Sequence, residues 1–184
     1  MAQKSPTFFD ELVNAARGCF ALLTGDRQAA THFDFSQRGL VGSIIAFVIA
    51  SALGAFGAQL FGVPSPPGAA TQAIIQGGIL FAIQLGVSYL ALRQMGRLDG
   101  FVPFLVADNW ATFFTSILAL VLVMLGGPAA IVIVAIGIVV IIVEINIARL
   151  IVTLAPGQIA IFIVAQLAAS VIALVLLGGG LPAA

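Results

Sequence analysis

Residues 128–149 read PAAIVIVAIGIVVIIVEINIAR. From Ala129 to Val143 the stretch holds Ile, Val, Ala and one Gly and no polar side chain. A helix rises 1.5 Å per residue, so about 20 such residues cross the roughly 30 Å hydrocarbon layer of a bilayer. This segment therefore predicts a membrane span, and the same test applied outward gives four more. The expected spans are 40–62, 71–92, 103–125, 128–149 and 157–177. Pro103, Pro128 and Pro156 mark helix starts, where a missing N–H is tolerated. Pro64, Pro66 and Pro67 close the first span, Gly126-Gly127-Pro128 makes a helical hairpin, and Pro156-Gly157 alone divides the last two spans.

The whole composition agrees. Of 184 residues 61% are hydrophobic and 8% charged, with seven Lys or Arg, seven Asp or Glu and one His. Soluble domains carry roughly 25% charged residues, so a water-soluble globule is excluded. A disordered chain needs the opposite composition, and no basic run exists to neutralise the phosphates of a nucleic acid. Cys19 is the only cysteine and His32 the only histidine. No intramolecular disulfide follows, and neither a metal site nor a cofactor site is expected. No Gly-x-Ser-x-Gly, His-Glu-x-x-His or P-loop pattern occurs, so no catalytic residue is assigned and the chain is read as no enzyme.

Residues 1–37 are expected to form a cytoplasmic amphipathic segment ahead of a transmembrane domain at 38–180. Over 7–23, Phe8, Phe9, Leu12, Val13, Ala16, Cys19, Phe20 and Leu23 recur at helical steps, while Asp10, Glu11, Asn14 and Arg17 fill the other side. Thr7 with Asp10 three residues on is a helix-start signal. The charges exclude both a span and a signal peptide and predict a helix lying in the interface plane. The fold class is thus an all-α membrane protein of five transmembrane helices with an N-terminal interfacial helix. Five spans leave Lys4, Arg17, Arg27, Arg38, Arg93, Arg97 and Arg149 all on one side. The positive-inside rule makes that side the cytoplasm and puts the C-terminus outside. The Ala, Gly, Val and Leu bias suggests a bacterial inner membrane.

Three groups of residues stand out within the spans. Gly42, Ala46, Ala50, Gly54, Ala58 and Gly62 make a small-residue row that permits close helix approach, in a bundle or a homodimer. It nominates the first span as the central helix, and the fourth as facing lipid or a partner. Gln84 and Gln166 fall near mid-membrane, as interhelical amide contacts or as part of a polar path. Asp108, Asn109, Glu144, Asn146 and Arg149 form an intramembrane polar cluster, a functional candidate because ionisable groups there are costly. Asp108 and Glu144 come out at comparable depth on consecutive antiparallel helices. At 100° per residue Arg149 lies about 140° around from Glu144, so an Arg149–Asp108 bridge is expected instead. Trp110, Tyr89, Phe101 and Phe104 are read as an interfacial aromatic belt.

This layout resembles the Yip1-type family of five-span membrane proteins. Arg38 ahead of span one, the Arg93–Asp99 inner loop, the Gly126-Gly127-Pro128 hairpin and the Pro156-Gly157 break carry the resemblance, while Asp34-Phe35-Ser36-Gln37-Arg38 is at most an echo of the eukaryotic signature. The resemblance implies a non-enzymatic protein that binds membrane-protein partners or organises the bilayer. Two other readings stand beside it: a proton- or ion-coupled transporter using Asp108, Glu144 and Arg149, and an accessory subunit of a larger membrane complex.

Overall fold

A computed structural model describes residues 7–60, 62 and 66–177. Lys4, Pro64, the side chain of Ala58 and the tail from 178 lie outside the described residues. The described residues form six α-helices: α1 Phe8–Thr24, α2 Gln37–Leu60, α3 Ala69–Gln94, α4 Phe101–Met124, α5 Ala129–Asn146 and α6 Pro156–Leu176. The last five are long and apolar enough to cross a membrane, and α1 is not. The protein is an all-helical multi-pass membrane protein. Arg38, Arg93, Arg97 and Arg149 all fall at one end of the bundle, the basic end.

The helix ends follow local chemistry. Thr7 caps α1: its hydroxyl accepts from the Asp10 N–H at 3.2 Å, and the Asp10 carboxylate accepts from the Thr7 N–H at 2.8 Å. These bonds hold the Asp10 carboxyl below its usual range. Gly25, at φ 72°, closes the helix in a left-handed turn, with the Asp26 N–H donating to the Ala21 carbonyl at 2.8 Å. Pro156 takes the first turn of α6, as expected. Pro128 instead precedes α5 as its cap, and α4 begins at Phe101, two residues before Pro103. Both positions still lie where helix N–H groups lack partners. Beyond α5, residues Ile147–Ile151 form one π-helical turn, its Val152 N–H donating to the Ile147 carbonyl at 3.0 Å.

The packing corrects one expectation. The central helix is α4, which touches α1, α2, α3 and α5, rather than α2. The small-residue row of α2 serves that contact only in part. Gly42, Ala46 and Ala50 are buried, whereas Gly54 is exposed and Gly57 is buried in its place, against the Leu120 side chain of α4. A strict four-residue row advances 400° per step and so drifts about 40° around a 3.6-residue helix each time. By Gly54 it has left the interface, and Gly62 lies past the helix end in a turn with φ 72°. As expected for the fourth span, α5 turns Ile131, Ile133, Val134 and Ile138 outward.

Helix α1 docks on α4 and α5. The Asn146 amide donates to the Leu22 carbonyl at 2.8 Å, and the Phe8 ring meets Trp110 at 6.0 Å between centroids. Trp110 and Phe104 are therefore buried inside the bundle rather than placed in a belt. Phe33 is buried against Gly18 of α1. Phe9 and Phe20, each 68% exposed, form the outer face of α1.

Glu11 makes this docking pH-sensitive. Its carboxyl packs directly on Gly42, so that a side chain there would push it aside, and Oε1 is buried without a partner. Burial, and then the nearby Asp34 carboxylate, raise its pKa, while Arg38 and the Trp110 indole oppose them. A carboxyl raised in the docked state binds more protons docked than undocked, so docking weakens as pH rises. Seating of α1 should be tightest below the usual glutamic range and loosen as pH climbs through the raised value. Asp10, shifted down, acts oppositely, its cap failing only in stronger acid. Cys19 reports the seating, because burial against the bundle pushes its thiol up to about 12. Maleimide labelling of Cys19, normalised at each pH to the SDS-unfolded chain, should increase with pH, and Glu11→Gln should flatten the response. An unchanged slope in Glu11→Gln would assign the response elsewhere.

Candidate functional site

Asp108 and Glu144 meet inside the bundle. α4 and α5 run antiparallel across the Gly126-Gly127 hairpin, and both carboxyl groups line one cavity. Together they also border a second, small void, which places them side by side. The other three residues of the expected polar cluster go elsewhere. Asn109, one helical step of about 100° from Asp108, is fully buried on the α2 side and donates to the Ser43 hydroxyl at 3.1 Å. Asn146 holds α1. Arg149 is exposed in the π-turn and makes no bridge to Asp108; among the described residues the one ion pair joins Arg97 to Asp99 at 3.5 Å. The π-turn inserts an extra residue per turn, and Arg149 is carried outward with it.

The cavity has a volume of about 310 Å³ and is walled by α2, α3, α4, α5 and α6. Besides the two carboxyls it presents Gln84, Gln166, Ser51, Ser88 and Thr112 among phenylalanine, leucine and valine side chains. The two mid-membrane glutamines are positioned by a reciprocal pairing of α3 with α6. Gln84 donates to the Ser170 hydroxyl at 2.8 Å, and Gln166 donates to the Ser88 hydroxyl at 3.0 Å. The pattern Gln-x-x-x-Ser occurs on both helices, and one turn of separation places each glutamine opposite the other helix's serine. This repeat was the available sequence signal for the α3–α6 pairing. The pairing satisfies the amide nitrogens and leaves one oxygen over: Gln84 Oε1 is buried without a partner, as is Glu144 Oε2.

No known protein family, characterised protein or solved structure matches this chain.

The chemistry available is thus that of the cavity itself. Among the described residues its lining contains no Lys, Arg or His to neutralise the carboxyls. Among the described residues no group of three or more His, Cys, Asp or Glu side chains is placed to hold a metal ion. On the far side of the carboxyl pair a void of about 20 Å³ is lined by Ala111, Thr115 and Val143 as well as by the pair. Those three side chains also line an apolar groove of about 190 Å³ beneath Cys19 and Phe20 of α1. The carboxyl pair therefore lies between the chamber and the seat of the interfacial helix.

Proposed function

We propose that this protein is a small non-enzymatic carrier that exchanges a cation for a proton at the Asp108–Glu144 pair. The observation that carries the reading is two carboxyl groups lining one intramembrane cavity to which no described residue adds a basic side chain. Ionised carboxylates are acceptors only, so such a pair needs something positive between its oxygens. A proton or a cation answers that need, and exchange of one for the other carries charge without leaving the pair bare. On this reading the basic end faces the cytoplasm of a bacterial inner membrane.

The test uses vesicles containing the purified full-length chain, acid inside, with a trapped pH dye. Sodium, potassium or benzyltrimethylammonium chloride is added outside. At least one should collapse the gradient faster than in protein-free vesicles, and Asp108→Asn and Glu144→Gln should each slow that collapse about tenfold or more, the cost of leaving one buried charge unpaired. A gradient that no cation discharges, or that both variants discharge at the wild-type rate, overturns the reading.

A second reading draws on a different feature. Phe9 and Phe20 stand outward on α1 at the basic end, an apolar face that suits a Yip1-like protein binding a membrane-protein partner, or an accessory subunit. Partner capture that survives both carboxyl variants but fails in Phe9→Ser with Phe20→Ser would favour it.

A further inference from the structure

The walls of the cavity narrow the kind of cation. Beside the carboxyl pair stand three phenyl rings, Phe47, Phe81 and Phe104. Phe47 and Phe81 stack at 4.0 Å between centroids, and Phe104 is held edge-on by Phe162 at 5.2 Å. Leu80, Leu85, Leu105 and Val140 add further apolar wall, beside the neutral amide and hydroxyl groups already named. At about 310 Å³ the chamber is far larger than a dehydrated metal ion requires. Such an ion also demands six or more close oxygens if it is calcium, and near-ideal octahedral oxygens if it is magnesium. Among the described residues no third carboxylate, histidine or cysteine joins the pair to help build that shell. A positive charge attached to an apolar body fits the carboxyl pair and the phenylalanine, leucine and valine wall. Its charge meets the carboxyl pair, its body displaces water from apolar wall, and phenyl faces attract cations, most strongly when both are desolvated. The buried, unpartnered oxygens Gln84 Oε1 and Glu144 Oε2 place negative potential where the positive charge would sit.

Resting on the exchange reading above, we infer that the cation is organic: an ammonium bearing alkyl or aryl groups, held between Asp108, Glu144 and the Phe47–Phe81 wall.

The experiment measures equilibrium binding of labelled benzyltrimethylammonium to the full chain in lipid nanodiscs. Neopentylbenzene, which has carbon in place of the charged nitrogen, is the neutral competitor. Saturable binding is expected, not displaced by the neutral isostere. Asp108→Asn and Glu144→Gln, both near-isosteric, should each weaken it tenfold or more. Phe81→Leu, with Phe47→Leu as the second variant should the first fail to fold, should weaken it several-fold while leaving the melting temperature of the apoprotein near wild type. Equal displacement by neopentylbenzene, or wild-type affinity in the phenylalanine variants, overturns the inference. Vesicle exchange driven by sodium or potassium, without benzyltrimethylammonium binding, overturns the organic class and leaves the exchange reading standing. Absence of both binding and exchange removes both.

Discussion

Replacing Arg97 by alanine is expected to destabilise the bundle by about 2 kcal/mol, from the loss of charge-assisted hydrogen bonds, of which the one to the Val152 carbonyl is partly buried. The Arg97 guanidinium crosses from the α3–α4 loop to the break between α5 and α6. It donates to the Val152 carbonyl, to the Thr153 carbonyl at 2.7 Å and to the Thr153 hydroxyl at 2.7 Å. Thr153 sits at φ 58°, a left-handed backbone that a β-branched residue adopts only under constraint. Next to this clamp, Gly100 lies so close to Val152 that a side chain there would collide with it. The ion pair with Asp99 contributes little, because Asp99 is 73% exposed. Lysine offers a point charge rather than a fork, so Arg97→Lys should recover only part of the loss. Thr153→Gly should cost much less than Arg97→Ala, since it removes the strain together with one acceptor. Thermal unfolding of the purified chain in detergent checks all three, and a wild-type melting temperature for Arg97→Ala would show that the clamp is incidental.

That clamp also marks where sequence reading reached its limit. The spans were legible because hydropathy over about 20 residues is a local quantity, and each expected span overlaps an observed helix with ends shifted by a few residues. The Thr7–Asp10 signal located α1 for the same reason. Depth along a helix is local too, which is why Asp108 and Glu144 could be placed at one level. Pairing is not local. The angle between Glu144 and Arg149 correctly separated those two residues, but it assumed a regular α-helix through Arg149. The π-turn at Ile147–Ile151 breaks that assumption. Nothing in the spacing of Arg97 announces that it reaches a carbonyl more than fifty residues away. The identity of the central helix was hidden similarly: α2 has the longer row of small residues, but α4 touches four neighbours because its buried face mixes small Ala107 and Ala111 with large Phe104 and Trp110.

Trp110→Ala is expected to have the largest effect of any single substitution, about 4 kcal/mol, the scale of removing a fully buried aromatic side chain. Trp110 is 1% exposed and lies at the joint between α1 and the bundle. Its ring meets Phe8 of α1 and packs on Phe113 and Phe114 of its own helix at 5.9 and 6.1 Å. The loss should fall first on α1, which is too short and too charged to hold its place by crossing the membrane and relies on this joint, on Asn146 and on Glu11. Cys19 labelling should therefore accelerate tenfold or more in Trp110→Ala at temperatures where far-ultraviolet circular dichroism still shows helical spans. Trp110→Phe, which retains a ring, should accelerate it much less. If labelling and loss of the spans coincide in Trp110→Ala, α1 is an integral part of the bundle rather than a separately docked element. If labelling comes first, the consequence reaches the carboxyl pair, because Ala111, Thr115 and Val143 line both the groove under α1 and the void behind Asp108 and Glu144. Undocking α1 would remove the outer wall of that groove and leave those three side chains as the remaining cover over the pair. Cation-driven collapse of a pH gradient should then be leakier in Trp110→Ala than in wild type, with proton movement no longer tied to the added cation.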